Sequence, residues 1–196
     1  MAIEESAARE RLAPYLGKLS ECIDLGWNDF ERECSHIRHK TSPRSRACIV
    51  HDNIVNRARK LFEEEENIIL YDRNGTLMLQ IEEDFLLRFK KLDEDKISKG
   101  INTQERIDFL DQELPELPGI CRGTNVIAGY ELNRLQTDIK EITVTCPSGK
   151  QNSWIIELQR YGAEIISMTT GSRENISPKV RAKNNSSQEN LEENNG

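Results

Sequence analysis

The stretch IILYDRNGTLMLQIEEDFLLRFKKL, residues 68–92, decides the fold class of this chain. Asn74-Gly75 separates two apolar runs, 68–72 and 76–81, and Asn-Gly favours a two-residue hairpin turn because both turn positions need positive φ. An acidic turn then leads into a third run, 85–92. The stretch therefore predicts a meander of three short strands.

Further strands are predicted downstream of this meander. Their ranges are 126–132, 139–146 and 153–159. The intervening residues 93–124 are less regular and predict a crossover, with a short helix near 103–112 and extended backbone at Leu114 and Leu117, which precede prolines. We expect a mainly antiparallel sheet of about six strands, all within residues 67–160.

Upstream of the meander, apolar residues recur with the period of a helix. One stripe predicts a first helix at 13–39, with Pro14 in its first turn. Its members are Leu16, Leu19, Ile23, Trp27, Phe30, Cys34 and Ile37. A second stripe predicts a helix from about 42 to 65. Because their connection is short, we expect an antiparallel helical hairpin over residues 13–65, packed on the sheet in an α+β fold.

Composition limits the classes of protein that this chain can represent. With 36% hydrophobic and 31% charged residues, and no apolar run long enough to cross a bilayer, it predicts a cytoplasmic protein without a membrane partner. The cysteines are odd in number and unpaired in spacing, so neither a disulfide framework nor a metal site or cofactor is expected. We predict a single domain at 1–168 and, because 169–196 is almost devoid of apolar residues, a disordered tail.

RSRACIVHDN, residues 44–53, carries the strongest candidate for a catalytic site. On a helical wheel His51 falls toward the core side of the second helix. Arg44 and Arg46 precede it at spacings that resemble the R-x4-6-H motif of HEPN ribonucleases, in which arginine stabilises phosphate charge and histidine acts in metal-independent RNA cleavage. Arg44, Arg46, His51 and Asp52 are therefore the candidate catalytic residues. The alternative is a core histidine with a hydrogen-bond partner, and the β-rich remainder departs from the all-helical HEPN bundle.

Two basic groups are candidates for binding RNA or an acidic partner, although the net charge of the chain is −7. They comprise Arg57, Arg59 and Lys60 on the second helix, and Arg88, Lys90 and Lys91 on the third strand. Alternation places Arg88 and Lys90 on one face of that strand and Lys91 on the other. The competing interpretation is a solvated helix face and a strand edge that discourages aggregation.

Four segments together resemble a bacterial protein family of toxin–antitoxin and phage-defence gene pairs. They are SRACIVHDN (45–53), RFKKLDED (88–95), ELPGI (116–120) and TVTCPSGKQNSWIIEL (143–158). The partner gene in such pairs encodes a helix-turn-helix regulator with a zincin metallopeptidase domain. The resemblance implies an effector, or toxin, controlled by a complex with this cognate regulatory protein. The alternatives are a metal-independent ribonuclease and a non-enzymatic antitoxin or adaptor, and the first helix leaves open a homodimer seam.

Overall fold

The computed structural model describes residues 2–113 and 122–162, which form three α-helices, one 3-10 helix and six strands. The helices are α1 (Glu5–Cys34), α2 (Pro43–Phe62) and α3 (Gln104–Leu110), with the 3-10 helix at Ser35–Lys40 between α1 and α2. The strands are β1 (Ile68–Arg73), β2 (Thr76–Ile81), β3 (Phe85–Lys91), β4 (Thr124–Leu132), β5 (Ile139–Ser148) and β6 (Gln151–Leu158).

The strands form one sheet in the order β1-β2-β3-β4-β5-β6. All neighbouring pairs are antiparallel except β3 and β4, which are parallel and are separated in sequence by the segment that contains α3. A parallel pair needs a crossover connection, which is the structural role of the irregular residues between these two strands. The α+β class and the mostly antiparallel six-stranded sheet predicted from the sequence are confirmed.

The β1–β2 turn has the backbone that its sequence predicts. Asn74 and Gly75 have φ values of 49° and 75°, as a type I′ turn requires. The two strands are paired through six residue pairs, from Ile68 opposite Ile81 to Arg73 opposite Thr76.

The helices α1 and α2 pack on one face of the sheet and enclose the main core. From α1 this core takes Leu12, Leu19, Ile23, Trp27 and Phe30, and from α2 it takes Val50, Ile54, Ala58 and Phe62. Prediction of the first helix was correct in its apolar face and wrong in its limits. It begins at Glu5 rather than near 13, so Pro14 lies inside it, and regular α-helix ends at Cys34.

One glycine sets how closely α1 and α2 approach each other. A Cβ placed on Gly26 would lie 2.8 Å from the backbone nitrogen and 2.9 Å from the Cα of Ile54. Such distances are below any real Cβ contact, so only glycine allows this helix crossing. At the start of α2, Ser42 caps the helix by accepting a hydrogen bond from the Ser45 backbone N–H at 3.1 Å.

The opposite face of the sheet carries a second, smaller core beneath α3. It consists of Met78, Leu86, Leu92, Phe109, Leu110 and Ile127. Thr103 caps α3 by accepting a hydrogen bond from the Arg106 backbone N–H at 3.3 Å. Because both faces of the sheet are covered, burial is continuous rather than alternating over residues 77–81 of β2 and 85–89 of β3.

Two predictions lie outside the described residues: the disordered tail at 169–196 and the extended backbone at Leu114 and Leu117. Among the described residues, no helix combines the length and the hydrophobicity that crossing a bilayer requires.

Candidate functional site

The sheet separates between β2 and β3 at the end where the basic residues of β3 lie. Leu79–Ile81 pair with Phe85–Leu87, whereas Thr76–Met78 pair with β1 only. On its other side β3 remains paired with β4 as far as Lys91. The segment Arg88–Lys91 is thus without a β2 partner, and we call this the opening in the sheet.

His51 lies on α2 and is half-buried. Burial lowers the pKa of His51 below its usual value, the charge of Lys90 lowers it further, and Asp52 opposes the change. Among the described residues, no hydrogen bond to the His51 ring is present. A neutral imidazole with free nitrogens at neutral pH is the form that can accept a proton.

Lys90 lies at the sheet opening and interacts with groups that come from both faces. Burial lowers the pKa of Lys90, and the charges of Arg88 and Arg106 lower it further. Cys48 of α2 and Glu105 of α3 act in the opposite direction. Within residues 2–113 and 122–162 its ammonium group has no hydrogen bond or ion pair. A lysine with a lowered pKa is a better proton donor than an exposed one.

Arg88 is adjacent to Lys90 on the same face of β3, and its side chain is only 8% exposed. Its Nη2 donates a hydrogen bond to Glu105 Oε1 at 2.5 Å and approaches Met78 Sδ at 3.3 Å. The guanidinium group stacks over the Phe109 ring at 4.5 Å from the ring centre. Arg88 is therefore held rigidly between the sheet and α3.

A second arginine, Arg73 at the end of β1, reaches the same carboxylate. Its Nε lies 3.6 Å from Glu105 Oε1, and the Asn74 side-chain amide donates to Glu105 Oε2 at 2.8 Å. Burial alone would raise the pKa of Glu105, but the hydrogen bonds from Asn74 and Arg88 and the nearby positive charges lower it overall. We call His51, Arg73, Arg88, Lys90 and Glu105 the Lys90 cluster.

Among the described residues, no hydrogen bond joins Arg44 or Arg46 to His51. Arg46 donates to the Thr41 carbonyl oxygen at 2.8 Å and to the Gln136 side-chain oxygen at 3.3 Å, so it fastens the start of α2 to the β4–β5 turn. Arg44 is exposed and has no hydrogen bond or ion pair among the described residues. Neither guanidinium group is held toward the imidazole.

Lys91 projects from the face of β3 that α1 and α2 cover, opposite to Lys90. It lines a small pocket together with Arg46, Trp27, Phe30 and Tyr130. Burial lowers the pKa of Lys91, and the charge of Arg46 lowers it further. The cavity volume is ≈ 10 Å³, which is about the space of one water molecule and too small for a nucleotide.

The remaining predicted residues divide into ion pairs and solvated groups. Arg57 binds both carboxylate oxygens of Asp29 on α1 at 2.7 Å, and Arg59 binds Asp72 of β1 at 2.7 and 2.8 Å. Lys60 and Asp52 are exposed and have no hydrogen bond in the part of the chain that the structure describes. Arg57 and Arg59 thus join α2 to neighbouring elements and are less available for a ligand.

Sequence reasoning missed Arg73 and Glu105. Arg73 immediately precedes the Asn-Gly turn, so its position at the hairpin end was predictable, but its partner was not. Glu105 follows the capping residue Thr103, and such an acidic residue in a first helical turn is ordinarily explained by the helix dipole. Their meeting depends on α3 crossing the sheet, which no local pattern reveals.

No match is found for this chain among protein-family models, curated proteins or solved structures. The Lys90 cluster must therefore be interpreted from its own geometry. Within the described residues, no group of three or more histidine, cysteine, aspartate or glutamate side chains is arranged to hold a metal ion.

Proposed function

We propose that this protein is the effector of a two-protein bacterial module and that it cleaves RNA at the Lys90 cluster. The observation that carries the proposal is the packing of α2 on β3, which brings Lys90 close enough for its charge to lower the pKa of His51. Both residues are half-buried, and neither side chain has a hydrogen-bond partner among the described residues. The effector role, and control by a cognate regulatory protein, rest on the sequence resemblance.

The pKa directions suit the two proton transfers of RNA cleavage. Neutral His51 accepts the proton of a ribose 2′-hydroxyl, whose oxygen forms a bond to the adjacent phosphorus atom. The bond from phosphorus to the 5′-oxygen breaks, and the Lys90 ammonium donates a proton to that leaving oxygen. The products are a 2′,3′-cyclic phosphate and a free 5′-hydroxyl. The nucleophile belongs to the RNA itself, so the reaction needs no added water at this step.

Charge supports a phosphodiester as the ligand. Arg73, Arg88 and Lys90 bring three positive charges to the cluster, against the single carboxylate of Glu105. Guanidinium groups match phosphate oxygens in geometry and remain charged at every physiological pH. The chain is acidic overall, so this local excess, rather than the net charge, would direct RNA to the site.

The first test is expression in a bacterial host that lacks a partner gene. Wild type, His51→Ala and Lys90→Met are compared for growth arrest and for the amount of folded protein. Lys150→Met is the matched control because Lys150 is exposed in the β5–β6 turn, at the opposite end of the strands. We expect arrest by wild type and by the control, and normal growth with the two site variants at equal folded yield.

The second test is RNA cleavage by the purified proteins in the presence of a metal chelator. Loss of a general acid or base lowers such rates by about 10²–10⁴-fold, so both site variants are expected to fall by that factor. The products are analysed for 2′,3′-cyclic phosphate ends. A wild type that neither arrests growth nor cleaves RNA would refute the effector proposal and would favour the antitoxin or adaptor.

A further inference from the structure

Three donor groups from separate elements converge on one carboxylate, Glu105. They are the Arg88 guanidinium of β3, the Arg73 guanidinium of β1 and the side-chain amide of Asn74 in the hairpin turn. Such a set of fixed N–H groups around a single anion is the arrangement that proteins use to bind phosphate. Here the anion is supplied by the protein's own α3.

Glu105 does not satisfy all the N–H groups of the two arginines. Arg88 Nε and Arg73 Nη1 are buried and have no hydrogen-bond partner in the described part of the structure. An unpartnered buried N–H is costly, and a charged one more so. The nearby Lys90 adds a third positive charge. One carboxylate therefore leaves both hydrogen-bonding capacity and charge unsatisfied.

We propose that the position of the Glu105 carboxylate is a phosphate-binding site, and that Glu105 occupies it until a phosphate group replaces it. A phosphate group offers more acceptor oxygens than a carboxylate and can satisfy the free N–H groups of both arginines. Glu105 then acts as an internal competitor that keeps the site closed in the free protein. The inference rests on the proposed function for its natural ligand, an RNA phosphate, whereas the anion site can be tested without RNA.

A purely structural ion pair predicts different behaviour. If Glu105 serves only to hold α3 on the sheet, then removing its charge weakens the fold and creates no affinity for anions. If it occupies a phosphate site, removing its charge exposes that site. Glu105→Gln distinguishes these roles because glutamine keeps the length of the side chain and can still accept the Asn74 hydrogen bond.

The experiment measures the binding of inorganic phosphate by calorimetry at constant ionic strength. Glu105→Gln is compared with wild type and with Asp108→Asn, which removes one negative charge from the same helix. Asp108 accepts its hydrogen bond from Gln104 and does not contact the arginines. We expect Glu105→Gln to bind phosphate about tenfold more tightly than wild type, and Asp108→Asn to differ from wild type less than about twofold.

A further variant tests whether the new affinity arises at the proposed position. Adding Arg73→Gln to Glu105→Gln should return phosphate affinity to the wild-type level, because one of the two guanidinium groups is lost. Equal affinity in wild type and Glu105→Gln, with both folded by circular dichroism, would overturn the inference. So would a gain in Glu105→Gln that Arg73→Gln leaves intact.

RNA cleavage separates the two proposals. If Glu105→Gln gains Arg73-dependent phosphate binding but wild type never cleaves RNA, the anion site stands and the proposed function fails. If His51-dependent cleavage occurs while phosphate affinity is unchanged in Glu105→Gln, the proposed function stands and the inference fails.

Discussion

Gly26→Ala should destabilise the protein because it forces α1 away from α2. The added Cβ would lie 2.6 Å from Ile54 Cγ1 and within 2.9 Å of the Ile54 backbone. A side chain can rotate away, but the backbone can move only with its helix. Overpacking of this kind costs about 3 kcal/mol, and the better helix propensity of alanine returns about 1 kcal/mol. We therefore expect a net loss of about 2 kcal/mol in the free energy of unfolding.

The matched control is Gly17→Ala on the same helix. Gly17 is exposed and a Cβ there would meet nothing within 4 Å, so this variant should gain about 1 kcal/mol from helix propensity alone. Urea denaturation followed by circular dichroism measures both, and for a chain of this size about 1 kcal/mol shifts the melting temperature by about 2–4 °C. A Gly26→Ala protein as stable as Gly17→Ala would show that the close helix crossing is not a determinant of the fold.

Three further predictions concern the C-terminal end of the described chain, the α3 cap and the titration of the site. Asp24 is buried and binds Arg160 at 2.7 Å, so Asp24→Ala should lower the free energy of unfolding by about 2–4 kcal/mol in urea titrations, and a loss below about 0.5 kcal/mol would contradict this. Thr103→Ala removes the acceptor for the Arg106 backbone N–H and should lower the free energy of unfolding by about 1 kcal/mol. An unchanged midpoint in urea would argue against the cap. The pKa of His51 is lower in the folded state than in the unfolded state, so as the pH falls the unfolded state is protonated first. His51 therefore lowers the free energy of unfolding as the pH falls below about 6.5. His51→Gln should abolish that part of the pH dependence, and parallel stability curves for the two proteins between neutral pH and pH 5 would refute it.

Those parts of the fold that depend on local patterns were predictable from the sequence. The six strands follow from short apolar runs bounded by turns, and Asn74-Gly75 fixes the first hairpin because its backbone conformation is encoded in two residues. The start of α1 was missed because Pro14 was interpreted as a first-turn residue, whereas nine helical residues precede it. The parallel pairing of β3 with β4 and the second core under α3 depend on a crossover path that periodicity does not specify.

The direction of a side chain could be predicted where it depends on one element, whereas the partner of a side chain depends on two elements. The helical wheel gave the inward direction of His51, and strand alternation separated Lys90 from Lys91. The spacing of Arg46 from His51 did not predict the direction of the Arg46 side chain. An R-x4-H pattern fixes the separation in sequence but not the group to which the guanidinium donates. Arg46 selects backbone and amide oxygens near the β4–β5 turn.

The distribution of paired charges distinguishes the Lys90 cluster from the other charged contacts of this acidic chain. Arg32 and Arg57 bind two carboxylates, those of Asp29 and Glu33, and Arg160 binds those of Asp24 and Asp138. In these groups the carboxylates equal or outnumber the arginines, and the contacts are explained by the joining of elements. In the Lys90 cluster two arginines share the single carboxylate of Glu105, and a half-buried lysine near them has no ion pair among the described residues. Desolvating unmatched cations opposes folding, so packing alone does not account for their placement. An anion from outside the chain would compensate that cost, which is why the excess of positive charge indicates this site more strongly than the motif around His51 does.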